Sequence, residues 1–296
     1  MKKLNITVGL LSGKMRSELA GLYPGRELDH LIYMVFECLF GYSKTDLILK
    51  SDEPVIPKKQ KDVEEIIIRM KNHEPIQHII NSAFFMGIQL RSDNRALIPR
   101  QETEELVGWI MDDCNGMEGR IADIGTGTGC ISIILAKELS KSKLSAIDIS
   151  CSALELAKEN ASLHDVELNY IQGDILQWRN DETLKELEQQ FDVIVSNPPY
   201  IQRCDAVNLP KNVVDYDPEE ALFVNTDDPL VFYRAIANWS LHALKPGGSL
   251  YLEVNELFGK EVTTLLLNNG YSDVILKRDL HDKDRMIRCK FDSLKS

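Results

Sequence analysis

A chain of 296 residues is long enough for about two domains, and 44% hydrophobic with 27% charged residues is an ordinary globular composition that excludes a disordered chain. A formal net charge of −12 argues against a surface built to neutralise many nucleic-acid phosphates, so no stable nucleic-acid partner is expected. No apolar run approaches the roughly 20 residues that span a bilayer, so no membrane partner is expected either. Lys2 and Lys3 precede a short apolar patch, but Lys14 and Arg16 interrupt it too soon for a secretory segment. Six scattered cysteines without a Cys-x-x-Cys pair suit reduced thiols and a cytoplasmic location. The histidines are equally dispersed, His30 and His73 included, so no metal site is expected.

From Thr7 to about Leu22, Val8, Leu11, Met15, Leu19 and Leu22 recur at threes and fours, the period of an amphipathic helix. Tyr23-Pro24-Gly25 ends it, and Leu28, Leu31, Ile32, Val35, Phe36, Leu39 and Phe40 mark a second helix closed by Gly41. Ser43 to Leu49 reads as a short helical stretch, and Val63, Ile66, Ile67 and Met70 repeat the spacing after the Pro54 to Pro57 loop. Residues 1–73 are therefore expected to form a small helical domain, structural or substrate-positioning, without a catalytic constellation. In residues 74–100, Ile79-Ile80, Ala83 to Phe85 and Ile88 to Leu90 alternate with turns at Gly87 and at Ser92-Asp93-Asn94, which predicts a β-hairpin linker. Leu97-Ile98-Pro99-Arg100 then enters a helix with Leu106, Val107 and Ile110, capped by Thr103 or Gln101.

Residues 101–296 carry the chemistry. Ile121 to Ile124 is a strand ending in Gly125-Thr126-Gly127-Thr128-Gly129, and Ile131 to Leu139 follows at helical spacing. Glycines let a ligand approach the backbone, and the helix start offers unpaired N–H groups. Leu144 to Ile147 is the next strand, with Asp148 at its end as an acceptor for ribose hydroxyls, and a third strand ends at Gly173-Asp174, whose carboxylate suits an adenine amine. A nicotinamide dinucleotide and S-adenosylmethionine both fit this pattern, but the dinucleotide fingerprint wants Gly or Ala where Cys130 stands. Phe191 to Val195 reads as a strand buried on both faces that stops at Ser196 or Asn197, because Pro198 and Pro199 cannot continue a ladder. The prolines lack N–H groups, so the loop is a cluster of acceptors beside the Asn197 carbonyl oxygen, with Tyr200 adding an aromatic face or a hydroxyl. Its complement is a planar NH2 group, the exocyclic amine of adenine or cytosine or the carboxamide of glutamine or asparagine. Leu230 to Leu244 is expected as a helix, Lys245 to Gly248 as a turn, Ser249 to Val254 as a strand, Val262 to Leu267 as a helix, and Tyr271 to Leu276 and Met286 to Phe291 as strands. The long polar connection from Ile201 to Asp228 is expected to be a lid or binding loop. Alternating strands and helices imply an α/β fold with a doubly wound, mostly parallel sheet.

With these pieces placed, nearly the whole chain resembles the HemK/PrmC family of peptide chain release factor glutamine methyltransferases. The resemblance rests on Leu97-Ile98-Pro99-Arg100-x-Glu102-Thr103-Glu104, Asp123 to Gly129, Asp148-Ile149-Ser150 and Asn197-Pro198-Pro199-Tyr200-Ile201, with the helical N-terminal domain and the hairpin. It implies a Rossmann-like methyltransferase sheet and transfer of a methyl group from S-adenosyl-L-methionine, without a metal, to N5 of the glutamine in the Gly-Gly-Gln loop of release factors. By that likeness Asp123, Gly125, Thr126, Gly127, Thr128, Gly129, Asp148, Asp174, Ile175 and Asn197 hold the cofactor. Asn197, Pro198 and Tyr200 are the catalytic set, and Leu97, Arg100, Asn197, Pro198, Pro199 and Tyr200 line the substrate slot. Gln101 stands where the family usually has proline, and Ile175 where some members carry an aromatic residue. An adenine-N6 methyltransferase, a nicotinamide oxidoreductase and a non-catalytic S-adenosylmethionine-binding protein are the alternative readings.

Overall fold

The computed structural model describes residues 6–224 and 226–292; Lys2 and Lys3 lie outside the described residues. The chain divides into two compact units, Met1–Ser82 with Pro210–Tyr216, and Ala83–Leu209 with Asp217–Ser296.

The helical unit contains α1 (Val8–Leu19), α2 (Gly25–Phe40), α3 (Lys44–Leu49), α4 (Pro57–Lys71) and α5 (Ile76–Ile79). Their starts follow local chemistry: the Thr7 side chain caps α1, Ser43 and Asp46 form a capping box on α3, and Pro57 opens α4. Gly41, at φ +69°, ends α2 in the left-handed region. Val8, Leu11, Met15 and Leu19 of α1 meet Val35 and Phe36 of α2 and Val63, Ile67 and Met70 of α4 in one buried core. Ile79 departs from the sequence expectation. It belongs to the helical turn α5 because Ile76 and Ile79, three apart, both enter this core. The Pro210–Tyr216 segment, with the short helix Lys211–Val214, returns to this unit, and Tyr216 Oη donates to the Asn72 carbonyl at 2.9 Å.

The sheet unit opens with a hairpin, β1 (Ala83–Phe85) and β2 (Ile88–Leu90), turned by Met86 and Gly87, both at positive φ. Phe85 and Leu90 are buried with Leu106, Val107 and Ile110, so the hairpin packs as part of this unit. The sheet proper is built from β3 (Arg120–Ile124), β4 (Lys143–Asp148), β5 (Asn169–Gln172), β6 (Phe191–Ser196), β9 (Leu244–Glu253), β10 (Ser272–Arg278) and β11 (Asp284–Lys290). Between β6 and β9 lie the two-residue strands β7 (Ile201–Gln202) and β8 (Phe223–Val224), which pair with each other in parallel. The seven-stranded order is β10-β11-β9-β6-β3-β4-β5, with β9, β6, β3, β4 and β5 mutually parallel and β10 and β11 antiparallel. The fold is the expected doubly wound, mostly parallel α/β sheet. On one face pack α6 (Gln101–Asp113) and α7 (Cys130–Glu138), with buried Ile110, Ile131 and Leu135. The other face is covered by α9 (Val231–Ala243) and α10 (Gly259–Asn268), with Tyr233, Trp239 and Leu266 fully buried. One further helix, α8 (Cys151–Leu163), follows β4.

Two local expectations are corrected. Lys245 to Gly248 does not precede the strand but interrupts it: pairing steps from Phe191 with Leu244 to Val193 with Ser249, an outward bulge in which Gly247 takes φ +84°. Helix α6 is capped by neither Thr103 nor Gln101. It begins at Gln101 with no side-chain cap, and the Thr103 hydroxyl points elsewhere.

Candidate active site

A cleft of about 630 Å³ lies across the carboxyl ends of β3, β4, β5 and β6, where open α/β sheets bind ligands. The glycine turn forms one wall. Gly125 N and Thr126 N donate to the Ile147 carbonyl at 2.8 and 3.1 Å, which ties the turn to β4. Gly125, Gly127 and Gly129 lie at φ +71°, +54° and +80°, a conformation only glycine takes without strain. Beneath the turn, fully buried Asp123 accepts from the hydroxyls of Thr126 at 2.7 Å and Ser132 at 2.8 Å, and burial pushes its carboxyl up to about 6. Asn160, fully buried on α8, clamps the same turn: its Nδ2 donates to the carbonyls of Thr128 and Arg91 at 2.9 and 3.1 Å, and its Oδ1 accepts Arg91 N at 2.7 Å.

Asp148 sits at the end of β4, held by Gly127 N at 3.0 Å and Ser150 N at 2.9 Å, and burial raises its carboxyl above the ordinary range. Each oxygen keeps a second lone pair for a ligand hydroxyl. Asp174 lines the cleft after β5, its Oδ1 accepting Leu176 N at 2.8 Å, with Glu220 on the opposite loop. The two arginines of the lining are engaged: Arg95 pairs with Asp93 and Glu159, and Arg100 with buried Asp217 at 2.7 Å. Burial lifts the Asp217 carboxyl to about 6 against the pull of Arg100. Three carboxylates and two neutralised arginines suit a cationic or neutral ligand with hydroxyls, and oppose a pyrophosphate.

The far wall is the loop after β6, where Asn197, Pro198 and Pro199 line the cleft. Ser196 fixes the strand end by donating to the Ile124 carbonyl at 2.8 Å. Asn197 Nδ2 donates to Thr103 Oγ1 at 3.1 Å, and Thr103 Oγ1 donates to Glu253 Oε2 at 2.6 Å. Glu253 is 1% exposed, and burial pushes its carboxyl up to about 7.

Residues 15–80 match the family described as PrmC N-terminal domain, and residues 103–215 the methyltransferase small domain. The release factor glutamine methyltransferase of Flavobacterium psychrophilum is 37% identical over 277 residues, covering 92% of this chain and 95% of that protein. The chain belongs to the release factor glutamine methyltransferase family. Its counterpart from Bacteroides thetaiotaomicron is 36% identical over 94% of this chain and 98% of its own length. The fold is shared more widely. A methyltransferase from Pyrococcus furiosus superposes with a TM-score of 0.51 at 16% identity, over 78% of this chain and 100% of its own. The hMettl16 catalytic domain does so at 0.54 and 14% identity, over 81% and 83%.

Within this family member the cleft brings together Leu97, Arg100, Gly125 to Thr128, Asp148, Asp174, Ile175, Asn197, Pro198 and Pro199. Three expected site residues lie outside that lining. Asp123 sits under the glycine turn, and Gly129 is turned into the α8 interface, where a Cβ would meet Ala157 Cβ at 3.1 Å. Tyr200 packs against the sheet core with its hydroxyl 3.5 Å from Glu253 Oε1. Cys130, which breaks the dinucleotide pattern, is buried with its thiol pushed up to about 12, so it serves as a wall and not as a nucleophile. Thr103, Asn160, Asp217 and Glu253 were missed as site residues. Glu253 carries a signal as a lone acid in the apolar run Leu250 to Val254, and Thr103 one as part of the motif Leu97 to Glu104.

Proposed function

We propose that the chain transfers a methyl group from S-adenosyl-L-methionine to N5 of the glutamine in the Gly-Gly-Gln loop of peptide chain release factors, and so modulates translation termination. Family membership supports the substrate class, and the observation that carries the chemistry is the acceptor loop Asn197-Pro198-Pro199 facing the glycine turn across one cleft. The cleft fits the cofactor: Asp148 for ribose hydroxyls, Asp174 for an adenine amine, and carboxylates that tolerate a sulfonium. Bound there, S-adenosylmethionine supplies an electrophilic methyl group and leaves as S-adenosyl-L-homocysteine.

The residues of this chain act by position. A carboxamide nitrogen is a poor nucleophile because its lone pair is delocalised into the carbonyl. Asn197 Oδ1 and the Pro198 carbonyl accept its two hydrogens, which favours a pyramidal nitrogen and stabilises the positive charge that grows during attack. Leu97 and Arg100 wall the slot, and holding nitrogen and methyl in line supplies much of the acceleration. The proton then leaves to water or a loop acceptor. Asp123 and Gly129 serve the cofactor wall from behind, Ile175 borders the base, and Tyr200 supports the catalytic loop. In this reading residues 1–73 position the protein substrate, 74–100 link and 101–296 carry the chemistry, in the cytoplasm and without metal, membrane or stable nucleic acid.

The test is incubation with labelled S-adenosylmethionine and either a purified release factor or bulk nucleic acid, followed by mass spectrometry. Label on the Gly-Gly-Gln glutamine supports the reading. Label on adenine, whose amine suits the same acceptors, transfers the function to a nucleic-acid substrate.

A further inference from the structure

Behind the acceptor wall runs a buried chain of hydrogen bonds that joins three elements. Asn197 follows β6, Thr103 lies on α6 and Glu253 ends β9. Thr103 and Glu253 are 2% and 1% exposed. The links are 3.1 Å from Asn197 Nδ2 to Thr103 Oγ1 and 2.6 Å from Thr103 Oγ1 to Glu253 Oε2. On the other side of Glu253 stands the Tyr200 hydroxyl, which burial keeps protonated and therefore a donor.

Counting protons fixes the direction of this chain. Above about pH 7, where Glu253 is ionised, its carboxylate only accepts, and the threonine hydroxyl has one proton to give. With that proton on Glu253, the Thr103 oxygen can only accept from Asn197. The edge of the Asn197 amide that meets Thr103 is then NH2, which leaves its oxygen free of Thr103. The assignment of nitrogen and oxygen follows from the neighbours. A reversed amide would set a donor against the donor hydrogens of the substrate.

We infer that Thr103 and Glu253 are positioning residues that lock the Asn197 amide with its oxygen towards the substrate nitrogen. The inference rests on the amide-acceptor reading given above. It makes Asn197 one end of a polarised relay, so the loop acts as an acceptor by virtue of a carboxylate it does not contain.

Thr103→Val keeps the shape and removes the hydroxyl. Methylation of a purified release factor should then lose at least about tenfold in kcat, with S-adenosylmethionine affinity by calorimetry within about threefold. Thr103→Ser restores the hydroxyl and should recover turnover to within about threefold. Because Thr103 acts through Asn197, adding Thr103→Val to Asn197→Ala should cost less than about twofold more. Turnover of Thr103→Val within about twofold of wild type, or an equal loss in both backgrounds, overturns the inference. Selective 15N-asparagine labelling reads the lock without substrate. The Asn197 side-chain amide, identified by its absence in Asn197→Ala, should be protected from exchange in the wild type and lose protection in Thr103→Val. Free exchange in the wild type overturns the relay whatever the protein methylates. Intact protection with no transfer to a release factor supports the relay and overturns the proposed substrate.

Discussion

The two walls of the cleft are held in different ways. The glycine turn is fastened mainly through its own backbone N–H groups: Gly125 N and Thr126 N on the Ile147 carbonyl, Gly129 N on the Thr126 carbonyl, and Gly127 N on the Asp148 carboxylate. The acceptor wall is fastened by side chains, with Asn197 reaching Thr103 across 94 positions and Thr103 reaching Glu253 across 150. Most substitutions leave backbone bonds in place, so the cofactor wall should tolerate changes that do not alter its φ angles or its clamp. The acceptor wall should fail one side chain at a time.

The largest effect expected from this contrast is at the acceptor. Asn197→Ala should lower methyl transfer by about 10²–10³-fold, with S-adenosylmethionine binding nearly unchanged; normal turnover by this variant would refute the mechanism. Next is the clamp on the other wall. Asn160→Ala strips partners from the buried Thr128 carbonyl and the Arg91 backbone, and should cost roughly 3 kcal/mol in denaturant unfolding. A loss below about 1 kcal/mol would show that the turn holds itself. Gly129→Ala should cost about 2 kcal/mol, because its φ of +80° strains any Cβ and that Cβ would stand 3.1 Å from Ala157 and 3.2 Å from Ile133. The loss should also appear as weaker cofactor binding.

The smallest effect is a change with pH. Burial raises Glu253 to about 7, so the folded chain holds a proton that the unfolded chain, with an ordinary glutamate near 4.5, releases. That contribution is complete below about pH 4.5 and is lost as pH rises through about 7. Glu253→Gln lacks it, while Asp123 and Asp217, raised to about 6 with the same sign, remain in both proteins. The melting temperature of the variant relative to wild type should therefore rise by a few degrees from pH 4.5 to pH 8. A constant difference across that range would place the Glu253 carboxyl in an ordinary environment.

What was legible in the sequence tracks this contrast. The strand ending at Ser196 and the turn Gly125 to Gly129 were read from adjacent residues, because proline and glycine act on their own backbone. Ile79 and Ile80 predict strand because two adjacent apolar residues do not reveal a period; the place of Ile79 in the helical core decides it. Thr103 was read as a possible cap because local chemistry gives threonine that role, but a buried carboxylate from β9 took its hydroxyl. The Lys245 to Gly248 turn was correctly seen as a break, and only pairing with β6 made it a bulge inside a strand.

By itself the sequence determined the α/β class, most of the strands and helices, the glycine turn and the acceptor loop. Each is set by periodicity or by residues whose backbone geometry is their own. Tertiary structure alone decided that Asp123 and Gly129 support the turn from behind, that Tyr200 faces the core, and that Thr103 and Glu253 stand behind Asn197. Those facts depend on which distant side chains share a buried space, where every polar group must find a partner and each partner fixes the next.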